Sequence, residues 1–281
     1  MNIRDKFLHL FQFKEIKSKW HEKPLFQLAS NAQNAIPFEN VQVYLGLTDD
    51  PLIYLNDLRL NETEINPDLL IFASRHRSEA ARPAFLIHTT GNWIDKADFG
   101  GNPRELSYAS ALLLKAGFLS LIEQEKSSHF AEFSLDIEVT HHGPTTLKKP
   151  LVFMELGSSE KEWIIDEGGQ IVANSIINTI SKYLQFQEEK SQMICIGFGG
   201  THYGPQFRKS LINKNVAFSY ICPKYFIQNL TYEMVEQMIT KNLEEVEYLV
   251  IDWKGTNSAD KAHLIPLLEE FDIPIKKTKE L

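Results

Sequence analysis

Short apolar runs of strand length recur along this chain, with helical patterns between them, over residues 41–45, 69–73, 85–87, 133–139, 151–156, 193–198, 218–221 and 248–253. Strands alternating with helices predict a sheet covered by helices. In 133–139 the apolar residues Phe133, Leu135, Ile137 and Val139 alternate with Glu132, Ser134, Asp136 and Glu138, the pattern of a strand with one wet face. The runs 151–156 and 193–198 are apolar at both parities and belong at the centre of a sheet. The clearest helix is expected to begin at Pro103, whose fixed φ suits a first helical position, and to run to about residue 124 through Leu106, Ala109, Leu113 and Phe118. Further helices are expected over 170–184, 232–243 and 260–270. No repeat, low-complexity stretch or linker forces a domain cut. The expected class is α/β, a mixed, mostly parallel sheet flanked by helices, with residues 1–281 forming a single catalytic domain that carries a smaller lobe.

Composition narrows the setting. With 43% hydrophobic and 23% charged residues in 281, the chain can bury a large core. Its longest apolar stretches, such as 111–114 and 193–198, fall far short of the roughly 20 residues that cross a bilayer. Asp5 and Lys6 interrupt any signal-like start, so a cytoplasmic protein without a membrane partner is expected. The two cysteines, Cys195 and Cys222, lie in apolar surroundings at no metal or disulfide spacing and are expected to be buried thiols. A net charge of −8 argues against binding nucleic acid through bulk charge. An RNA partner would need a local basic rim, drawn from residues such as Arg75, Arg77, Arg82, Arg104, Lys148, Lys149, Lys161, Arg208, Lys209, Lys224 and Lys254.

The chemistry sits where strands end. His76, His88, His141, His142 and His202, five of the nine histidines, follow strand patterns closely, and Glu155 closes a strand ahead of Gly157 and Ser158. Loops at the carboxyl ends of parallel strands converge on one crevice, which is where such sheets bind ligands. Taken one at a time, each histidine suits a structural role. His141 and His142 are adjacent and would point to opposite faces of a continuing strand, so a turn at Gly143 and Pro144 is required before both can serve one site. Glu155, at the end of an apolar strand, needs a partner, a proton or a metal. Imidazole and carboxylate are suitable zinc ligands, and the same groups could act without metal as general bases on water. Neither HExxH nor CxxC is present to decide between these. The glycine-rich stretch 197–204 fits neither GxGxxG nor a Walker loop. Gly100 and Gly101 precede Pro103 and could open onto an anion-binding helix end, or form an ordinary loop. Ser158 and Ser159 lie outside any GxSxG elbow.

The segments SRHRS (74–78), HTTGN (88–92), FGGNPREL (99–106), EVTHHGPT (138–145), ELGSSEKEW (155–163), GFGGTHYGP (197–205), PKY (223–225) and DWKG (252–255), in this order, resemble the motif series of the archaeal and plant type of D-aminoacyl-tRNA deacylase. The resemblance implies hydrolysis of the ester joining a D-amino acid to the terminal ribose of tRNA, hence translation quality control, with zinc as cofactor and D-aminoacyl-tRNA as partner. It also implies a core similar to nucleoside phosphorylases and peptidyl-tRNA hydrolases. Family members carry a short strand and an Asp-Pro turn ahead of a segment like MNIRDKF, at which this chain begins, so that first strand is expected to be missing. On this reading His141, His142, Glu155 and His202 are the catalytic and metal-ligating groups. His88, Asn92, Gly100, Gly101, Arg104, Gly199, Gly200, Lys148 and Lys149 are expected to bind substrate. No protein partner is expected. Two alternatives stay open: a related nucleoside or peptidyl-tRNA hydrolase, and an RNA- or nucleotide-binding module with structural histidines.

Overall fold

In the computed structural model, which describes residues 2–29, 41–79, 81–128, 130 and 133–281, the apolar runs become inner strands. The elements in chain order are α1 (Asn2–Leu10), β1 (Phe13–Trp20), β2 (Lys23–Leu28), β3 (Tyr44–Leu45), β4 (Leu70–Arg77), β5 (Ala84–His88), α2 (Ala111–Ser128), β6 (Ser134–Ile137), β7 (Leu151–Ser158), α3 (Glu160–Trp163), α4 (Asp166–Glu189), β8 (Met193–Phe198), α5 (Pro205–Asn213), β9 (Val216–Cys222), α6 (Tyr232–Thr240), β10 (Tyr248–Ile251), α7 (Ser258–Leu268) and β11 (Ile275–Lys277). They build a site-bearing sheet of order β4-β7-β5-β6, a second sheet of order β11-β10-β8-β9, and a small antiparallel sheet β1-β2-β3. Within the two four-stranded sheets every pairing is parallel except β5 with β7. The strands apolar at both parities, β7 and β8, are interior, as expected.

Strand parity separates the faces of the first sheet. Register pairs Ser74 with Glu155, Glu155 with Leu86, and Leu86 with Asp136. Phe153, Glu155, His76, His88 and, past the end of β6, Glu138 therefore share one face, because side chains alternate along a strand. The opposite face presents Val152, Met154, Leu156, Phe85 and Ile87 to a core that includes α2 and α4. From Ala111 to Leu121 nearly every residue of α2 is buried, as a helix packed against both sheets must be. Backbone bonds from Val139 to His202 and from Thr140 to Ile221 tie the end of β6 to the second sheet.

Several expectations change. The helix expected from Pro103 begins at Ala111. Between them, Leu106 and Ser107 donate their N–H groups to Gln237 Oε1 and the Thr90 carbonyl, and Arg104 has a φ of 49°. Leu106 and Ala109 are buried as expected, but by long-range bonds that compete with the helical ladder. The run 41–45 contributes only Tyr44–Leu45 as strand, and the helices expected over 170–184 and 232–243 are respectively longer and shorter than the pattern suggested. The alternation in 133–139 holds from Ser134 to Ile137 and fails at Glu138, which is buried; Glu132 lies outside the described residues. Cys195 and Cys222 are buried free thiols. Among the described residues no helix is long and apolar enough to cross a membrane.

Candidate active site

Seven titratable side chains gather over the polar end of the first sheet: His76, His88, Glu138, His141, His142, Glu155 and His202. Phe153 forms the floor. The His88 ring stacks on it at 5.3 Å between centroids, and the His142 ring meets it edge-on at 5.0 Å. Gly157 lets β4 come close, since a Cβ there would lie 2.6 Å from the His76 Cβ. His142 adopts a left-handed φ of 45°, and this turn brings the adjacent rings of His141 and His142 within 4.5 Å on one side of the chain. The turn that both histidines required is therefore present.

Hydrogen bonds fix the rings. Nδ1 of His88 lies 3.0 Å from the Thr89 carbonyl, Nδ1 of His141 2.7 Å from that of Val139, and Nδ1 of His142 2.7 Å from that of Gly143. A carbonyl only accepts, so each Nδ1 carries the proton and each Nε2 is turned inward, the arrangement that orients ligating histidines. Glu138, with no exposed side-chain surface, takes Nε2 of His202 at 2.9 Å on Oε1. Its Oε2 faces Nδ1 of His76 at 3.9 Å and Nε2 of His88 and of His141 at 4.0 Å. His202 reaches outward through Nδ1 to the Tyr225 hydroxyl at 3.2 Å. Glu155 accepts from His76 at 3.1 Å and lies 3.7 Å from Nε2 of His88.

The electrostatics follow from burial and from these neighbours. Burial, then repulsion from the surrounding histidines, pushes His141 well below the ordinary imidazole range and His142 down to about 4. Burial acts the same way on His76 and His88, but the carboxylates of Glu155 and Glu138 outweigh it and hold both above the ordinary value. Burial would raise Glu155, yet His76 and His88 keep it well below the usual carboxylate range. Burial and the Glu138 charge lift the Tyr225 phenol to about 12, so it stays a donor at neutral pH.

Three sets of potential ligand atoms lie within 4.8 Å of one another: His88, His141 and His142; Glu138, His141 and His202; and His76, Glu138 and Glu155. Nε2 of His88 and Oε2 of Glu138 are buried without any hydrogen-bond partner. Buried polar atoms are normally satisfied, and a cation among these groups would satisfy both. The donor set thus fits a metal ion, with neutral imidazoles at His141 and His142 ready to ligate.

The structure brings together all four residues expected as catalytic and ligating, and places His88 with them. Glu155 groups with His76 and Glu138 rather than with the histidines expected beside it. Glu138 was read as a solvated strand residue; its face is the wet one, but the water there is replaced by imidazoles. His76 counts among the five strand-end histidines without an assigned role, and Tyr225 is legible only as part of the PKY motif. Their signal was available in parity for His76, which alternates with Arg75 and Arg77.

The expected substrate-binding residues divide. Asn92 Nδ2 donates to the carbonyls of Gly100 at 2.8 Å and Asn102 at 3.1 Å, bracing the loop that packs on Gly143 behind His142. Gly100 and Gly101 serve in that packing, and no helix opens from their loop. Arg104 holds Asp95 through two bonds, at 2.6 and 3.1 Å, and donates to the Asn229 carbonyl. Gly199, at φ 100°, lies where a Cβ would come within 2.1 Å of the Thr256 hydroxyl, and Gly200 packs beside Asp252. Lys148 is exposed and Lys149 half-buried on the loop leading to β7.

Comparison with known proteins gives one answer. Residues 63–276, which contain all seven clustered side chains, match the family model described as D-aminoacyl-tRNA deacylase. A protein of Methanocaldococcus jannaschii with that name is 36% identical over 275 residues, covering 95% of this chain and 98% of the relative. One of Pyrococcus furiosus is 31% identical over 280 residues, covering 99% and 95%. Among solved structures, that of a conserved protein of unknown function, AF0625, superposes with a TM-score of 0.82 at 30% identity, covering 99% of this chain and 91% of the other. The chain belongs to the D-aminoacyl-tRNA deacylase family.

Proposed function

We propose that this protein is a cytoplasmic hydrolase that cleaves the ester between a D-amino acid and the terminal ribose of tRNA, releasing free D-amino acid and tRNA. The family match carries the reading, because the region it covers contains the whole buried cluster. His88, His141 and His142 are suited to hold a zinc ion, three imidazoles with an open position being a common catalytic arrangement. When bound, zinc would supply Lewis acidity and make water at the site easier to deprotonate.

The chain's own groups account for the rest. Oε2 of Glu138, buried and without a donor, is placed to take the proton of the attacking water, and that proton passes to the leaving ribose oxygen as the ester breaks. His202 donates to Oε1 and, held by Tyr225, keeps the carboxylate aimed inward. Glu155 and His76, bonded to each other, close the back of the cluster, while the Thr89 carbonyl and the Phe153 ring set the orientation of His88. An aminoacyl ester is already activated, so positioning supplies much of the remaining acceleration. The test compares release of amino acid from D-tyrosyl-tRNA and L-tyrosyl-tRNA by purified protein, with elemental analysis of its metal. Preferential hydrolysis of the D ester is expected. No turnover, or equal turnover of both, defeats the proposal, and absence of zinc in active protein defeats its metal component.

A further inference from the structure

An exposed basic and aromatic surface adjoins the cluster and has no role in it. Arg75 and Arg77 alternate with His76 on β4, so while His76 faces Glu155 the two arginines project from the other face of the same edge strand. Both guanidinium groups lie over the indole of Trp163, at 5.1 and 5.4 Å from its centroid. The indole N–H donates to the His76 carbonyl at 2.7 Å, which joins this surface rigidly to the site. Arg75 has no carboxylate within salt-bridge distance among the described residues, and Arg77 meets only Glu160, at 3.5 Å with both side chains largely in solvent. Such an exposed pair contributes little and is readily exchanged for another anion. Beside them Ile164 is 79% exposed, more than any other large apolar residue described.

We infer that this surface receives the single-stranded 3′ terminus of tRNA, with Arg75 and Arg77 on the phosphates and the guanidinium, Trp163 and Ile164 surfaces against sugars and bases. The inference rests on the deacylase reading for the identity of the nucleic acid. On a chain of net charge −8, binding RNA requires a local cationic site, and this one lies on the edge strand that carries His76, on the face away from the cluster and joined to it through the Trp163–His76 bond. Planar guanidinium groups suit this task, since they pair with phosphates and stack on unpaired bases.

Binding of fluorescently labelled uncharged tRNA, measured by anisotropy over a range of salt, tests the inference without needing turnover. In Arg75→Ala/Arg77→Ala, affinity near 0.1 M salt should fall at least about tenfold, and the log–log salt slope should become shallower by about 1.4, two single-strand phosphate contacts. Arg75→Lys/Arg77→Lys should retain the slope and lose part of the affinity, because charge remains and the plane does not. Removing the terminal CCA from the tRNA should weaken the wild type, and the alanine pair should then cost nothing further. Unchanged affinity and slope in the alanine pair overturn the inference; so does an equal loss with CCA-less tRNA, which would place the contact on the duplex. Failure of the wild type to hydrolyse D-tyrosyl-tRNA would defeat the deacylase reading and leave the binding result standing.

Discussion

The ends of the two four-stranded sheets look alike in sequence and do different work. At the ends of β5 and β6 and along β7 the polar residues turn toward one another: His88, Glu138, His141, His142 and Glu155 are held by backbone carbonyls and by each other, and two of their atoms are left unsatisfied. Beyond β8 and β10 the glycine loop and the Asp-Trp-Lys-Gly turn close on themselves. Gly199 abuts Thr256, Gly200 abuts Asp252, Asp252 Oδ1 accepts from the Gly255 N–H, and only His202 extends to the site. A strand end thus becomes chemical when its side chains share a face with those of neighbouring strands, and structural when its loop packs against the next loop.

The sharpest way to break this distinction is to exchange the two kinds of end for inert residues. Glu138→Gln is expected to lower turnover of D-tyrosyl-tRNA by about 10²- to 10⁴-fold, the range for losing a positioned proton-transfer group, with melting temperature little changed, and His141→Ala is expected to lower turnover together with zinc content. Asp252→Ala should instead lower stability by about 1–3 kcal/mol through its lost turn bond and keep turnover within about tenfold. Turnover that collapses in a folded Asp252→Ala protein would erase the contrast.

Next in size is Gly199→Ala, which places a Cβ against the Thr256 hydroxyl on a backbone that side chains rarely adopt. A loss of about 3 kcal/mol in urea unfolding is expected. A stability equal to wild type would show that this loop is free to move rather than packed.

Smaller effects separate the exposed cations. Lys148→Ala/Lys149→Ala is expected to make the salt slope of tRNA binding shallower by about 1.4, whereas Arg104→Ala, whose guanidinium holds Asp95, should alter it by less than about 0.3. Equal slopes for all three proteins would remove the lysines from the interface.

A last effect lies beside the starts of β8 and β9, away from His202. Lys115 is buried, donates to Gln192 Oε1 and the Lys214 carbonyl, and burial lowers its pKa from 10.5 to about 8. Between those values the unfolded chain binds a proton that the folded chain does not, so stability should rise with pH from about 8 to about 10.5 and carry the full cost of burial below 8. The difference in unfolding free energy between wild type and Lys115→Met, followed across that window, should show this slope; a flat difference would mean the ammonium is solvated in place.

Much of this was readable from the residues themselves. Period-two alternation and unbroken apolar runs identify β6, β7 and β8, because burial on one face or two acts on each position locally. The concentration of histidines after strands, and the turn demanded by adjacent His141 and His142, likewise need no distant information. What only the tertiary structure decided depends on pairing between remote segments. The register of β5 against β6 and β7 puts Glu138 among imidazoles instead of water, and bonds from residues 106–109 to Thr90, Gln237 and Lys241 keep the stretch after Pro103 from being helix. The glycine loops, equally plausible as ligand cradles, pack tightly on what lies opposite them, which the sequence alone does not show. A one-dimensional pattern states which side chains point the same way along one strand; which strands meet, and therefore which charges must share a buried space, is set by long-range hydrogen bonds and core packing.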